Sequence, residues 1–298
     1  MGIFQLKSLV VNSVGYFCKM KILKKIIDFY IDASIHVAFS CFSFVQITFL
    51  SFHISESKAV SFFAFFGTIV GYNFVKYDVL ARIKKAQMRK ELKAILILSV
   101  ASFIAVGFCF FQLERMTQFV SILILFLTLL YTLPFFPNKK NARNWAGVKI
   151  YIVALCWLGV TVFLPLLNAN FPLDLHVYYY GIQRFILIFV LVLIFEIIDL
   201  SNDDPCLQTV PQQIGVKRTK NLGYILLTIF CGLAFLNSNY NDNFQLLPLI
   251  FEIGIAIAIV LFLAFANEKR SKYYTSFWVE SVPILWWLIT IYFQKYHI

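Results

Sequence analysis

Apolar residues run along the chain in nine long blocks, at about 34–52, 59–80, 92–111, 116–137, 145–167, 177–200, 221–239, 244–266 and 275–294, with a short polar connector after each. About 20 apolar residues, at a helical rise of about 1.5 Å each, cover a hydrocarbon layer of about 30 Å. The pattern therefore predicts an all-α integral membrane protein of about nine transmembrane helices in one bundle. No connector is long enough for an independent soluble domain, so residues 34–298 are expected to form a single membrane domain. In residues 1–33 the basic side chains interrupt the apolar run and no small-residue cleavage pattern follows. This argues against a signal peptide and for a cytoplasmic, interfacial amphipathic lead-in.

Composition agrees with the pattern. Of 298 residues, 60% are apolar and only 14% charged, whereas soluble domains are nearer half apolar and a quarter charged. The net charge of +11 must then lie between the spans, and it lies there unevenly. All but five of the 26 Lys and Arg residues fall in the N-terminal segment or in the even-numbered connectors and their flanks; the exceptions are Lys58, Arg115 and Lys295 on the other face and Lys76 and Arg184 inside spans. By the positive-inside rule the N-terminus is cytoplasmic and the C-terminus lies on the opposite side, in what is expected to be a bacterial inner membrane. The six cysteines show no C-x-x-C spacing and mostly sit within apolar runs, so they read as buried small hydrophobes. No nucleic-acid partner is expected; membrane lipids are.

Ionisable groups at membrane depth are costly, and they single out a site. The sixth block ends in Glu196-Ile197-Ile198-Asp199-Leu200-Ser201-Asn202-Asp203-Asp204. On a helix Glu196, Asp199 and Asp203 share one face, where three carboxylates repel one another and oppose the helix dipole. A hard divalent cation resolves the repulsion, since Mg²⁺ binds through one or two carboxylates together with waters and substrate phosphates. The competing reading is a solvated helix end with Asp203 and Asp204 in the cytosol. Downstream, Thr209-Val210-Pro211-Gln212-Gln213-Ile214-Gly215 supplies turn chemistry, and Lys217 and Arg218 begin a basic cluster.

The run from Asp199 to Gly215 resembles the second signature of the UbiA superfamily of intramembrane prenyltransferases, an Asp-rich helix end followed by Thr-x-Pro and a Gly, with Glu196 in the first acidic place. The resemblance implies helices arranged around a central cavity and Mg²⁺ held by Glu196, Asp199 and Asp203. It also implies an isoprenyl diphosphate as donor and a hydrophobic acceptor, often a quinone-precursor ring. The family's first signature, Asn-Asp-x-x-Asp-x-x-x-Asp, falls at the end of the second block. Asn73 matches its opening Asn, but Phe74, Tyr77 and Ala81 stand at the carboxylate positions and Asp78 is one place out of register. Asn73, Lys76 and Tyr77 share a face and are candidate catalytic residues, with Asn73 and Lys76 also binding diphosphate. Lys76 either supplies fixed positive charge to the diphosphate, snorkels to the boundary, or pairs with a carboxylate of the sixth span. Tyr131 at the end of the fourth span, then Lys139, Lys140 and Arg143, match the Tyr and basic loop of the family. Tyr131, Lys140 and Arg143 are further candidate catalytic residues, and Lys139, Lys140 and Arg143, with Lys217 and Arg218, are expected to bind the diphosphate and to stabilise its charge as it leaves.

Two function classes follow: a UbiA-like prenyltransferase, or a catalytically silent relative that binds a lipid, quinone or protein partner. His36 reads as a hydrogen-bonded interior histidine, and Glu252 must face the bundle without its partner being legible.

Overall fold

The computed structural model describes residues 22–83, 90–133, 147–204, 207–239 and 246–296. In chain order its helices are α1 (Ile22–Asp32), α2 (Ile35–Ser51), α3 (Lys58–Ile83), α4 (Lys90–Phe110), α5 (Arg115–Thr132), α6 (Val148–Asn168), α7 (Leu175–Asp199), the short α8 (Val210–Ile214), α9 (Val216–Ser238), α10 (Leu246–Phe265) and α11 (Tyr274–Lys295). Among the described residues eight helices are long and apolar enough to span a bilayer, and α1 with α2 adds a ninth span bent by 57°. Large apolar side chains such as Phe103 and Phe108 on α4 or Phe119 and Phe126 on α5 are exposed on the outside of the bundle, where a lipid solvent makes exposure favourable. The chain is an integral membrane protein.

The hydrophobic blocks and the helices agree to within a few residues, and where they differ the backbone explains it. The fourth block reads as apolar to about residue 137, but α5 ends at Thr132 and Leu133 is extended (φ −86°, ψ 144°). Pro134 follows, and proline disfavours helical geometry in the residue before it. The seventh block reads from about 221, yet α9 begins at Val216 and carries its basic residues on the helix. Its start is set by Gly215 (φ 81°), a backbone conformation that a side chain would resist.

α7 is the hub. Leu187, Val190, Leu193, Ile194 and Ile197 are buried to about 1% or less and pack against Phe44 and Ile47 of α2, Ile150 and Ala154 of α6, and residues of α9, α10 and α11. Around this hub α3 packs on α2 and α4, α9 lies against α7 and α10, and α11 returns to α2. Two spans carry π-helical turns, Gly159–Phe163 within α6 and Tyr274–Val279 at the start of α11. Both are tied to α2: Thr48 Oγ1 donates to the Thr161 carbonyl (2.6 Å), and His36 Nε2 donates to the Phe277 carbonyl (2.9 Å). His36 is thus the satisfied interior histidine its position suggested.

Candidate active site

The acidic end of α7 faces a central cavity of about 590 Å³ walled by α2, α3, α4, α5, α6, α7 and α11. Its body is apolar, with Val153, Ile188, Leu191 and Val192 among its walls; its polar end carries Lys149, Glu196 and Asp199. Tyr72, Tyr131, Trp157 and Glu280 also line it, and the Trp157 indole donates to the Tyr72 hydroxyl (3.0 Å), linking α6 to α3 across one wall.

Local backbone chemistry builds the polar end. After α7 the chain keeps turning, with the Asp203 N–H on the Asp199 carbonyl (2.8 Å), which holds Asp203 one turn beyond Asp199. Pro211 then sits in the first turn of α8, and the Thr209 N–H is met by Gln212 Oε1 (2.9 Å). Glu196, 2% exposed, accepts from the Val210 N–H at the start of the same helix (3.1 Å). A carboxylate there meets an N–H group that has no partner within the helix. The Thr-x-Pro segment therefore occupies one oxygen of Glu196. Opposite, Gly147 begins α6 in the left-handed region (φ 67°), where a Cβ would lie 3.3 Å from Gln213 Nε2. That tight start places Lys149 with Nζ 3.8 Å from Asp203 Oδ2. No hydrogen bond satisfies Asp203 Oδ2, although it is buried.

This geometry changes the expected ligand set. Among the described residues no group of three or more His, Cys, Asp and Glu side chains is placed to hold a metal ion. Of the three carboxylates proposed as ligands, Glu196 has one oxygen taken by α8, Asp199 lines the cavity and Asp203 meets Lys149. Two carboxylates with an unsatisfied oxygen do fit Mg²⁺, which completes its shell with waters and phosphate oxygens. Among the described residues three carboxylates meet the one ammonium of Lys149, so the site needs added positive charge before it can hold a diphosphate.

The end of α3 is used differently. Asn73 Nδ2 donates to the Ala33 carbonyl (3.1 Å) and to Ser99 Oγ of α4 (2.9 Å). Lys76 Nζ donates to Ser34 Oγ (3.0 Å) and reaches the Ile31 carbonyl (3.5 Å), and the Tyr77 hydroxyl donates to the Asp32 carbonyl (2.8 Å). Carbonyls 31 to 33 lie at the end of α1, where a helix leaves carbonyls short of partners, that of Ile31 also accepting from the Ser34 N–H (3.0 Å), and Ser34 (φ 61°) is the bend between α1 and α2. The three α3 side chains therefore cap α1 and fix that bend. None of them lines the cavity, so they do not converge with the acidic end of α7. Among the described residues the pairing of Lys76 with an α7 carboxylate is not seen; its Nζ is held at the bend between α1 and α2, and Lys149 is the cation beside Asp203.

Tyr131 is buried on the cavity wall. Lys217 and Arg218 are exposed on the first turn of α9, outside the cavity lining. Lys139, Lys140 and Arg143 lie outside the described residues. In the sequence Lys149 serves only to set topology, Tyr72 and Trp157 carry no signal of their own, and Glu280 stands out as an acidic residue within a span without a legible partner. The signal for Lys149 was present: an ammonium just inside a span is costly unless a carboxylate or a cavity receives it.

Solved structures of UbiA homologues share this fold. That of a UbiA homologue from Archaeoglobus fulgidus bound to DMAPP and Mg²⁺ matches with a TM-score of 0.59 at 12% identity, covering 90% of this chain and 99% of that one. The apo structure of a UbiA homologue from Aeropyrum pernix K1 matches with a TM-score of 0.59 at 14% identity, over 86% and 98%. A structure described for digeranylgeranylglyceryl phosphate synthase in membranes matches with a TM-score of 0.55 at 14% identity, over 89% and 98%. No family model and no curated protein sequence matches the chain. The chain has the all-helical membrane fold of the UbiA prenyltransferases.

Proposed function

We propose that the protein is a UbiA-like prenyltransferase that moves an isoprenyl group from an isoprenyl diphosphate to a hydrophobic acceptor in the membrane, an aromatic quinone precursor or another lipid. The observation that carries this reading is a cavity with an apolar body long enough for an isoprenoid tail and, at one end, carboxylates beside a lysine. The A. fulgidus homologue holds DMAPP or GPP together with Mg²⁺ in the same fold, which supports the class of donor.

In this reading Asp199 and Asp203 hold Mg²⁺, which when bound neutralises charge on the diphosphate. Lys149 contacts a diphosphate oxygen, and Lys139, Lys140 and Arg143, in the segment that precedes α6, add positive charge. The C1–O bond of the donor breaks with its electron pair leaving on diphosphate; C1 bonds to the acceptor, which gives up a proton. Tyr72, Tyr131 and Trp157 present ring faces that stabilise positive charge developing at C1. The positive-inside asymmetry puts this end of the bundle in the cytoplasm and the C-terminus on the opposite side, in a bacterial inner membrane.

One observation favours a second reading, a silent relative that binds isoprenoid or lipid without turnover: the α3 face that bears the first signature is committed to capping α1. Purified protein in nanodiscs with labelled geranyl diphosphate and a phenolic acceptor separates the two. Transferase activity predicts a prenylated product that requires a divalent cation and disappears in Asp199→Ala and Asp203→Ala. Retained activity in both variants overturns the site, and saturable donor binding with no product establishes the silent relative.

A further inference from the structure

A second cavity, of about 350 Å³, lies at the other end of the bundle, between the C-terminal ends of α2, α9 and α11 and the N-terminal ends of α7 and α10. Prenyl transfer makes no use of it. Arg184, 2% exposed, stands on α7 one turn beyond Tyr180, which lines this cavity, and one turn before Ile188, which lines the central one. Its guanidinium stacks over Phe44 (4.0 Å to the centroid) and donates to the Tyr180 hydroxyl (2.6 Å), while its Nη1 has no hydrogen-bond partner. The arginine and its aromatic neighbours divide the bundle into two compartments.

The walls of the second compartment have a definite chemistry. On one side Phe52 meets Phe171, His176 and Tyr180 with ring centroids 4.9–5.2 Å apart. On another, Phe251 lies against Phe293 (4.9 Å). Aromatic walls of this kind select a planar ring. The polar wall ends on Glu252. Asn237 Nδ2 donates to Gln183 Oε1 (2.9 Å) and Gln183 Nε2 donates to Glu252 Oε2 (2.8 Å), so the chain of amides terminates on the carboxyl and leaves its Oε1 as an acceptor in the cavity wall. Among the described residues Glu252 makes no ion pair, and a carboxyl at membrane depth without one is expensive and calls for a ligand or a partner.

We propose that this compartment is a binding site for an uncharged phenol, its ring among the aromatic side chains and its O–H donating to Glu252. Glu252, which lines the cavity, would repel an anion, whereas it accepts a hydrogen bond from a neutral O–H. The proposal is independent of whether the central cavity is catalytic. The probe is 4-hexylphenol, measured by equilibrium binding to the protein in nanodiscs and corrected for empty nanodiscs, with 4-hexylanisole as the control that keeps the ring and lacks the O–H.

The expected result is saturable phenol binding, with the anisole about tenfold weaker because the hydrogen bond to the Glu252 carboxyl is lost. Glu252→Leu weakens phenol binding by about the same tenfold factor, and Leu247→Trp, which fills the rim, abolishes it. Equal affinity for phenol and anisole overturns the proposal. So does binding that survives Leu247→Trp but is lost in Val153→Trp, which fills the central cavity. If Glu252→Leu does not fold, the phenol-to-anisole ratio and Leu247→Trp decide alone.

Discussion

The C-terminal ends of α3 and α7 carry the two halves of one sequence resemblance, and the fold uses them in opposite ways. At the end of α7, Asp199 keeps its place on the cavity wall, and Asp203, one turn on, meets Lys149 of α6, which lines the same cavity. At the end of α3, where Phe74, Tyr77 and Ala81 replace the acids, Asn73, Lys76 and Tyr77 turn toward the last carbonyls of α1. Once no carboxylate needs a cation there, the polar groups that remain are free to satisfy a helix end, which is worth roughly 1 kcal/mol per hydrogen bond. One half of the resemblance is positioned for chemistry and the other for architecture. Activity and stability should therefore separate between the two ends.

The largest effect is expected at α7. Asp199→Ala lowers prenyl transfer by about 100-fold or more, as loss of an electrostatic contact to a developing charge does, while the melting temperature in detergent stays near that of the unaltered protein. Chelation with EDTA gives a loss of similar size that Mg²⁺ restores; transfer that continues in EDTA means the carboxylates do not act through a cation. Next, Lys149→Met raises KM for the diphosphate about tenfold and changes kcat less, because it removes a charge-assisted contact to the donor. A change confined to kcat would instead place Lys149 at the departing group.

At α3 the order reverses. Asn73→Leu leaves the Ala33 carbonyl and Ser99 without their donor and costs about 1–3 kcal/mol of stability, read by denaturant or thermal unfolding, with kcat/KM of the folded fraction unchanged. Tyr77→Phe removes only the bond to the Asp32 carbonyl and costs about 1 kcal/mol, a shift of a few degrees in melting temperature. If either variant abolishes turnover while the protein stays folded, α3 belongs to the chemistry and the contrast fails.

The bundle was legible in the sequence because span length and charge sidedness are set by the membrane, a solvent that acts on every residue alike. The acidic end of α7 was legible for the same reason, since carboxylates at that depth need an explanation. What periodicity could not supply was direction. Asn73, Lys76 and Tyr77 do share a helical face, as their spacing requires, but which neighbour that face meets depends on α1 folding back through the bend at Ser34. Glu196 shares its face with Asp199 and is nonetheless drawn to the Val210 N–H by a helix 14 residues further on. Lys149 was hidden by its company, one basic residue among the many that set orientation.

The π-helical turn in α6 has a consequence for phase. It places one extra residue between the stretch that carries Lys149 and Trp157 and the stretch that carries Leu164 and Leu166, so the two halves of a single span are rotated by about 100° from the register of a continuous α-helix. The half at the acidic end is thereby free to answer to the cavity while the other half answers to α2 and the packing around Phe52. Deleting one residue from Gly159–Phe163 would restore an ordinary helix and force that choice: either Lys149 and Trp157 swing off the cavity wall, or the buried contacts of Leu164 and Leu166 are broken. The span works as a vernier, setting the angular position of a lysine at one end independently of the packing at the other.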